Sequence, residues 1–351
     1  MTEILSIATA GLLEEQLADT QHMRFPRVDY IELQRLLNAE TMDYSAYDQK
    51  YTGKIFRRIE TQLRSDIYLA TVSWLKARNY PPVFIWSERA GILFAFYKKY
   101  IRSNNCLVTM FQCWSKRQEL VITNLGLFSA MDKIVVHSKS MKDNLVRLGA
   151  PEERVKVIHY SIDQSFYSSI SGVEQQENLI ISVGEPRSRD YRALFQAIDG
   201  LPVNLKVAAS GHWYAREKIS DVKTSIPENV SIARKLPQIE LRNLYASAQF
   251  VVLPIHDLVY SAGATTTLEA GSMGRAVIAF RSRAIVDYII DGETGILVDP
   301  GDVSALREAI QFLLANPKEA ERLGQNARQR ILEQFNLESY VNKIASLLIN
   351  R

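Results

Sequence analysis

The stretch Gln249–Phe280, QFVVLPIHDLVYSAGATTTLEAGSMGRAVIAF, reads as strand, loop, helix and strand in succession. Phe250–Pro254 is a short apolar run, as a buried strand requires, and Ala276–Phe280 is another. Between them Thr265–Met273 carries helical spacing. Short apolar strands joined by helices imply a parallel sheet covered on both faces. The pattern extends in both directions. Upstream lie strands at Asn178–Gly184, Val203–Ala209 and Val230–Ala233, with helices at Arg189–Ile198 and Glu240–Ala248. Downstream come a helix at Ile285–Ile290, a strand at Gly295–Val298 and three helices, Val303–Ala315, Pro317–Glu333 and Leu337–Ile349. Asp302 and Asn336 sit at capping positions before the first and last of these.

The N-terminal half is less regular. Strands are expected at Glu3–Ala8, Val83–Trp86, Cys106–Phe111, Lys133–His137 and Lys156–His159, with helices at Ser45–Leu69 and Gly91–Arg102. This is a second α/β domain, in keeping with a chain of 351 residues. Ser161–Gln176 is polar without apolar periodicity and suits a linker. The expected organisation is an N-terminal domain over 1–160, a linker over 161–177, a C-terminal domain over 178–335 and a final helix over 336–351 crossing back to the first domain. Two α/β domains facing each other across a cleft suit ligands held at the C-terminal ends of strands.

Hydrophobic residues make up 47% of the chain and charged residues 23%, which excludes a disordered or collagen-like chain. A net charge of +3 gives no ground for nucleic-acid binding. The charge is nonetheless uneven: residues 51–150 hold sixteen Lys/Arg against six Asp/Glu, and residues 1–50 hold four against nine. A basic middle third suits phosphates, an anionic membrane surface or a solvated helix face. Cys106 and Cys113 form no disulfide framework, and no CxxC or Cys/His cluster points to a metal. The N-terminus lacks a basic region ahead of its apolar stretch, so no signal peptide is expected, and no apolar run reaches membrane-spanning length. A cytoplasmic protein is the expectation, with a peripheral place on the inner face of the membrane as the alternative.

The loop after Phe250–Pro254 leads into a helix that opens at Ala264, Thr265 and Thr266. A first helical turn offers unpaired N–H groups and the positive dipole end, Gly263 allows close backbone approach, and the hydroxyls add donors. This is an anion site in the making. Glu269, four residues after Thr265, shares its helix face about 6 Å along the axis, a span that fits a diphosphate at one end and a ribose diol at the other. The alternative is that Thr265 caps the helix and Glu269 is solvated. A second cluster, Gly184-Glu185-Pro186-Arg187-Ser188-Arg189-Asp190-Tyr191, directly follows a strand. Arg187 and Arg189 suit oxyanions through their forked donors; the alternative is an exposed loop with Asp190 as a helix cap.

Four stretches together resemble glycosyltransferase family 4, retaining enzymes of the GT-B fold. They are DKIVVHSKSMKDNLVRLGAPEERVKVIHYSID (Asp132–Asp163), ISVGEPRSRDYRAL (Ile181–Leu194), LPQIELRNLYASAQFVVLPI (Leu236–Ile255) and Ser261–Asp302 with its SAGATTTLEAGSMGRAVIAF and IIDGETGILVDPGD segments. The resemblance implies an α/β chain of two Rossmann-like domains, and a sugar transferred from a UDP- or GDP-sugar to a glycan, lipid-linked or small-molecule acceptor with no further cofactor. By the same resemblance, Glu269 is the second acid of a Glu-x7-Glu motif and holds the donor ribose. Arg189 takes the place of a diphosphate-binding lysine, with Gly184 and Arg187 beside it. Lys235 and Leu236 frame the base. Gly263, Ala264, Thr265 and Thr266 present N–H groups to the distal phosphate.

The sequence departs from the family pattern at four places: Ser261 stands at the first glutamate, Glu185 at a usually basic position, the N-terminal Gly-rich loop is absent, and the N-domain histidine near the reacting sugar has no match, with Gln112 near its expected place. Ser261 and the absent Gly-rich loop motivate an alternative, a catalytically silent sugar-nucleotide-binding homologue or partner subunit. On the acceptor side the candidates are Glu88, which follows a strand, and Gln112, Trp114 and Lys116, which follow another. Lys54–Arg78 is basic and amphipathic, with Ile55, Ile59, Leu63, Ile67 and Leu69 flanked by Arg57, Arg58 and Arg64, so it either lies on anionic membrane or packs into the core.

Overall fold

The computed structural model describes residues 4–8, 14–44, 58–60, 65–80, 82–168, 170, 172–209, 226–234 and 236–349. The chain divides into two compact units. The first comprises Met1–Ala18, Arg27–His159 and Glu338–Arg351; the second comprises Asp19–Pro26 and Tyr160–Leu337.

The first unit holds a six-stranded parallel sheet in the order β2-β1-β3-β4-β5-β6. Its strands are β1 (Leu5–Ile7), β2 (Glu40–Met42), β3 (Pro82–Ile85), β4 (Cys106–Met110), β5 (Lys133–Val136) and β6 (Val155–Val157). All four residues of β3 are buried, as expected where helices cover both faces of a parallel sheet. Serine caps start some of its helices: Ser87 accepts from Arg89 N before Glu88–Tyr97, and Ser138 accepts from Met141 N before Lys139–Arg147. The helix expected from Gly91 therefore begins at Glu88. Of the helix expected over Ser45–Leu69, residues 45–57 and 61–64 lie outside the described residues, and the described helix is Ile67–Lys76. The helices Asp29–Leu37 and Lys116–Asn124 were not anticipated. The final helix, Leu337–Ile349, joins the first unit from Glu338 onward. Within that unit Lys133 Nζ donates to Leu347 O at 2.6 Å.

The second unit holds another six-stranded parallel sheet, in the order β12-β11-β10-β7-β8-β9. Its strands are β7 (Leu179–Val183), β8 (Asn204–Ala209), β9 (Val230–Arg234), β10 (Phe250–Leu253), β11 (Ala276–Phe280) and β12 (Ile296–Val298). The chain runs outward from β7 to β9, then returns to pair β10 with the other edge of β7. The carboxyl ends of β7 and β10 thus flank a topological switch point, where open α/β sheets leave a crevice. Tyr191–Ile198 packs on Val303–Ala315, and Ala264–Ser272 packs on Pro317–Gln334. That second approach is close: a Cβ on Gly271 would stand 2.5 Å from Ile331 Cδ1.

Residues 160–177 are not a free spacer. Phe166 and Tyr167 are fully buried in the core of the second unit. The polar residues around these two aromatic anchors mask them in a reading by composition. Asp19–Pro26 also belongs to this unit, where Arg242 stacks over Phe166 and donates to the carbonyls of Met23 and Phe166.

Candidate donor site in the second unit

At the exit of β7, Gly184 adopts φ +139° and the chain turns into Pro186–Ser188. Arg189 then folds back over it. The guanidinium donates through Nε to Val183 O at 3.1 Å and through Nη1 to Ser188 O and Ser188 Oγ. Arg189 is 5% exposed, and among the described residues no carboxylate pairs with it. Burial disfavours its charge and lowers its pKa, partly offset by Tyr191, Tyr245, Tyr260 and Glu185. A buried cation whose Nη2 donors are unspent is costly unless an anion completes it. Arg187 is exposed on the same turn, and Asp190 caps the next helix by accepting from Ala193 N. Half-buried Glu185 has a raised pKa, from desolvation against the pull of Arg189 and Arg187.

The loop after β10 is tied to this turn. Asp190 N donates to Pro254 O at 2.6 Å, His256 N donates to Ser188 O, and Arg189 and Ile255 form an antiparallel bridge. Ile255 Cγ2 would stand 3.0 Å from a Cβ on Gly263, which takes φ +84° as the residue before the helix Ala264–Ser272. That helix begins with Ala264 N donating to Ser261 O and Thr267 N donating to Gly263 O. Among the described residues the N–H groups of Gly263, Thr265 and Thr266 make no bond within the protein. Thr265 is exposed, whereas Ala264 and Thr266 are buried. The Arg189 turn and the Gly263–Thr266 helix start therefore meet at the switch point, and both present donors.

Glu269 is half-buried on this helix. Its Oε2 accepts from Tyr245 Oη at 2.7 Å and its Oε1 from Tyr167 Oη at 3.1 Å. Desolvation raises its pKa to about 7 against the lowering effect of those two phenols. It is neither a bare solvated acid nor a helix cap. Ser261 is buried and bonded to the Tyr288 hydroxyl, which accepts from Tyr160 N at 3.0 Å. Leu236 is half-buried at the start of Gln238–Ser247, and Lys235 lies outside the described residues.

The tyrosines and Gln238 escaped the sequence reading. Tyr167 lies 102 residues from Glu269 and Tyr245 lies 24 away, so no local spacing announces them.

In the first unit, Glu88 opens its helix after β3 and is buried. It accepts from the backbone N–H of Gln112, at 2.9 Å, and of Cys113, both on the loop leaving β4, and burial raises its pKa. The structure thus joins Glu88 to Gln112. Trp114 Nε1 donates to Glu119 at 3.0 Å, and exposed Lys116 starts a helix closed by the Ser115–Gln118 capping box. Among the described residues no cluster of three or more His, Cys, Asp or Glu forms a cation cage.

Residues 163–330 match the family model for glycosyl transferases group 1. This segment is a group 1 glycosyltransferase domain. The matched segment spans β7 to β12 and contains the donor-side candidates from Gly184 to Glu269, including Lys235, which lies outside the described residues. The chain is 26% identical over 215 residues to an MMP alpha-(1->4)-mannosyltransferase of Mycolicibacterium hassiacum, covering 59% of this chain and 51% of that protein. It is 26% identical over 236 residues to an alpha-maltose-1-phosphate synthase of Mycolicibacterium smegmatis, covering 59% and 60%. The matches thus span about half of each relative's length. Anabaena HepE, crystallised in complex with UDP-glucose, superposes with a TM-score of 0.73 at 15% identity, covering 99% of this chain and 100% of that one. The group 1 domain and the first unit are accordingly the two Rossmann-like domains of a GT-B fold.

Proposed function

We propose that this protein is a retaining glycosyltransferase that moves a sugar from a UDP- or GDP-sugar to a glycan, lipid-linked or small-molecule acceptor. One observation carries the reading: among the described residues Arg189 is a buried cation without an ion-paired carboxylate, set against a helix start with unspent N–H groups. A diphosphate supplies the missing charge and accepts from both. Glu269, farther along the helix, accepts from the ribose diol. Transfer breaks the bond between the anomeric carbon and the diphosphate oxygen. The negative charge that grows on that oxygen meets Arg189, Arg187 and the N–H groups of Gly263, Thr265 and Thr266, so electrostatic stabilisation does most of the work. The acceptor hydroxyl attacks from the same face and passes its proton to the departing diphosphate. Glu88, with Gln112, Trp114 and Lys116, is assigned to the acceptor side, because Glu88 and Gln112 stand at neighbouring strand exits.

The test is a panel of nucleotide sugars with detection of slow donor hydrolysis and of transfer. Hydrolysis with one or two donors is expected. Absence of nucleotide binding ends the reading, and binding without any turnover leaves a silent homologue.

We also propose peripheral contact with anionic membrane. The described part of Lys54–Arg78 buries Leu69 and Ala70, so that stretch contributes to the core. The exposed apolar side chains of the first unit include Ile59 and Leu75 of that stretch together with Leu120, Val121, Leu125, Tyr100 and Ile101. Tyr100 Oη donates to Leu125 O, and Lys99, Lys116 and Arg117 stand nearby in sequence. No helix among the described residues is long and apolar enough to cross a membrane. Salt-sensitive co-sedimentation with phosphatidylglycerol vesicles is expected, and no binding at low salt would end this proposal.

A further inference from the structure

Both oxygens of Glu269 are already engaged by phenols that come from outside its helix. Tyr167 belongs to the segment between the two sheets, Tyr245 to the helix Gln238–Ser247, and their rings stand edge to face with centroids 6.3 Å apart. The Tyr167 hydroxyl is within bonding distance of two acceptors, Glu269 Oε1 at 3.1 Å and Gln238 Oε1 at 2.9 Å. It has one proton, so it serves one of them at a time. Gln238 opens the helix that follows Leu236, the residue assigned to frame the base.

We propose that Tyr167 and Tyr245 are positioning residues that fix the Glu269 carboxylate for a ribose diol, and that Tyr167 links that carboxylate to the start of the nucleobase loop through Gln238. This rests on the nucleotide-binding reading above. A carboxylate offers about four lone-pair directions. The two phenols take one on each oxygen, and the two left over form a pair of acceptors matched to two adjacent hydroxyls. Because the same hydroxyl also reaches Gln238 Oε1, Tyr167 ties the position of the carboxylate to that of the amide beside the base. Neither tyrosine needs to touch the nucleotide for this.

The charge environment agrees with this role. Asp163 and Arg242 face Tyr167, while Arg189 faces Tyr245. Burial alone would raise the Glu269 carboxyl further than it stands, and the two phenols pull it back. A phenol that merely filled space would leave that acid's titration untouched.

The experiment compares wild type with Tyr167→Phe and Tyr245→Phe, each checked for folding by thermal denaturation. Calorimetric titrations use UDP, GDP and inorganic pyrophosphate. Each variant is expected to bind the nucleoside diphosphate about tenfold more weakly at neutral pH, the scale of one lost hydrogen bond to a charged group. Affinity for pyrophosphate should hold. The Glu269 carboxyl, followed by NMR with carbon-13 glutamate and identified through Glu269→Gln, should titrate at higher pH in both variants. An unshifted titration overturns the clamp, as does an unchanged nucleoside diphosphate affinity where wild type binds. The titration needs no nucleotide, so a wild type that binds neither UDP nor GDP defeats the nucleotide reading while the clamp is still decided.

Discussion

The guanidinium of Arg189 lies directly on the backbone of Gly184, so that a Cβ at that glycine would stand 2.6 Å from its Cζ. The glycine makes room for the cation, and the positive φ makes its own demand for glycine there. Gly184→Ala is therefore expected to push the guanidinium off its carbonyl partners. The expected cost is about 1–3 kcal/mol in stability and at least about tenfold in nucleoside diphosphate affinity. Thermal unfolding and calorimetric titration check both. Unchanged values in both would show that Arg189 is not seated this way.

Arg189 itself should show a conflict between stability and binding. Replacing a buried cation that lacks a partner with an apolar side chain of similar length removes a desolvation penalty. Arg189→Met is thus expected to raise the melting temperature of the ligand-free protein while lowering affinity for UDP or GDP by about 1.5–3 kcal/mol. A melting temperature that falls alongside unaltered binding would contradict the assignment.

Glu269 gives a pH dependence of defined sign. Its carboxyl is raised from an ordinary 4.5 to about 7. The folded state therefore holds this proton more tightly than the unfolded chain does. The resulting stability is complete below 4.5 and is lost as pH rises through about 7. Nucleotide binding should move the other way, strengthening over the upper part of that range as the acid ionises and accepts from ribose. Glu269→Ala should weaken binding by roughly 1–3 kcal/mol, and Glu269→Gln should flatten this part of the melting profile. Nucleotide affinity that is flat across neutral pH would refute the ribose role.

His137, buried in the first unit, should behave oppositely. Burial is the main cause lowering its pKa, from 6.5 to about 4, with His159 adding to it and a hydrogen bond to Ile158 O opposing. Its contribution is present above 6.5 and is lost as pH falls through about 4, because the unfolded imidazole takes up a proton first. His137→Gln is expected to reduce acid sensitivity in denaturant melts between those values. An identical pH slope in wild type and variant would show that the imidazole is not desolvated in the fold.

Much of the second unit was legible because its central strands are short apolar runs separated by helices. Phe250–Leu253 and Ala276–Phe280 are buried at every residue, and their length and β-branched or aromatic content favour strand over helix. The anion-binding half of the site was legible too, since a glycine, a helix start and a following acid lie within a few residues and helical geometry fixes their relation. The first unit was harder to read. Its helix starts depend on serine caps such as Ser87 and Ser138, whose role is set by backbone geometry and not by hydrophobic spacing.

The sequence by itself thus determined most strands of the two sheets, the Gly263–Thr266 helix start and the place of Glu269 on it, because each follows from a pattern a few residues long; the strand Glu40–Met42 was not among those expected. Only the tertiary structure decided what surrounds them. It buried Arg189 with no ion-paired carboxylate among the described residues, closed both oxygens of Glu269 with Tyr167 and Tyr245, and bonded Ser261 to Tyr288. Those pairings join residues brought together by packing, and whether a charge is solvated, paired or left to await a ligand depends on burial that no local pattern encodes.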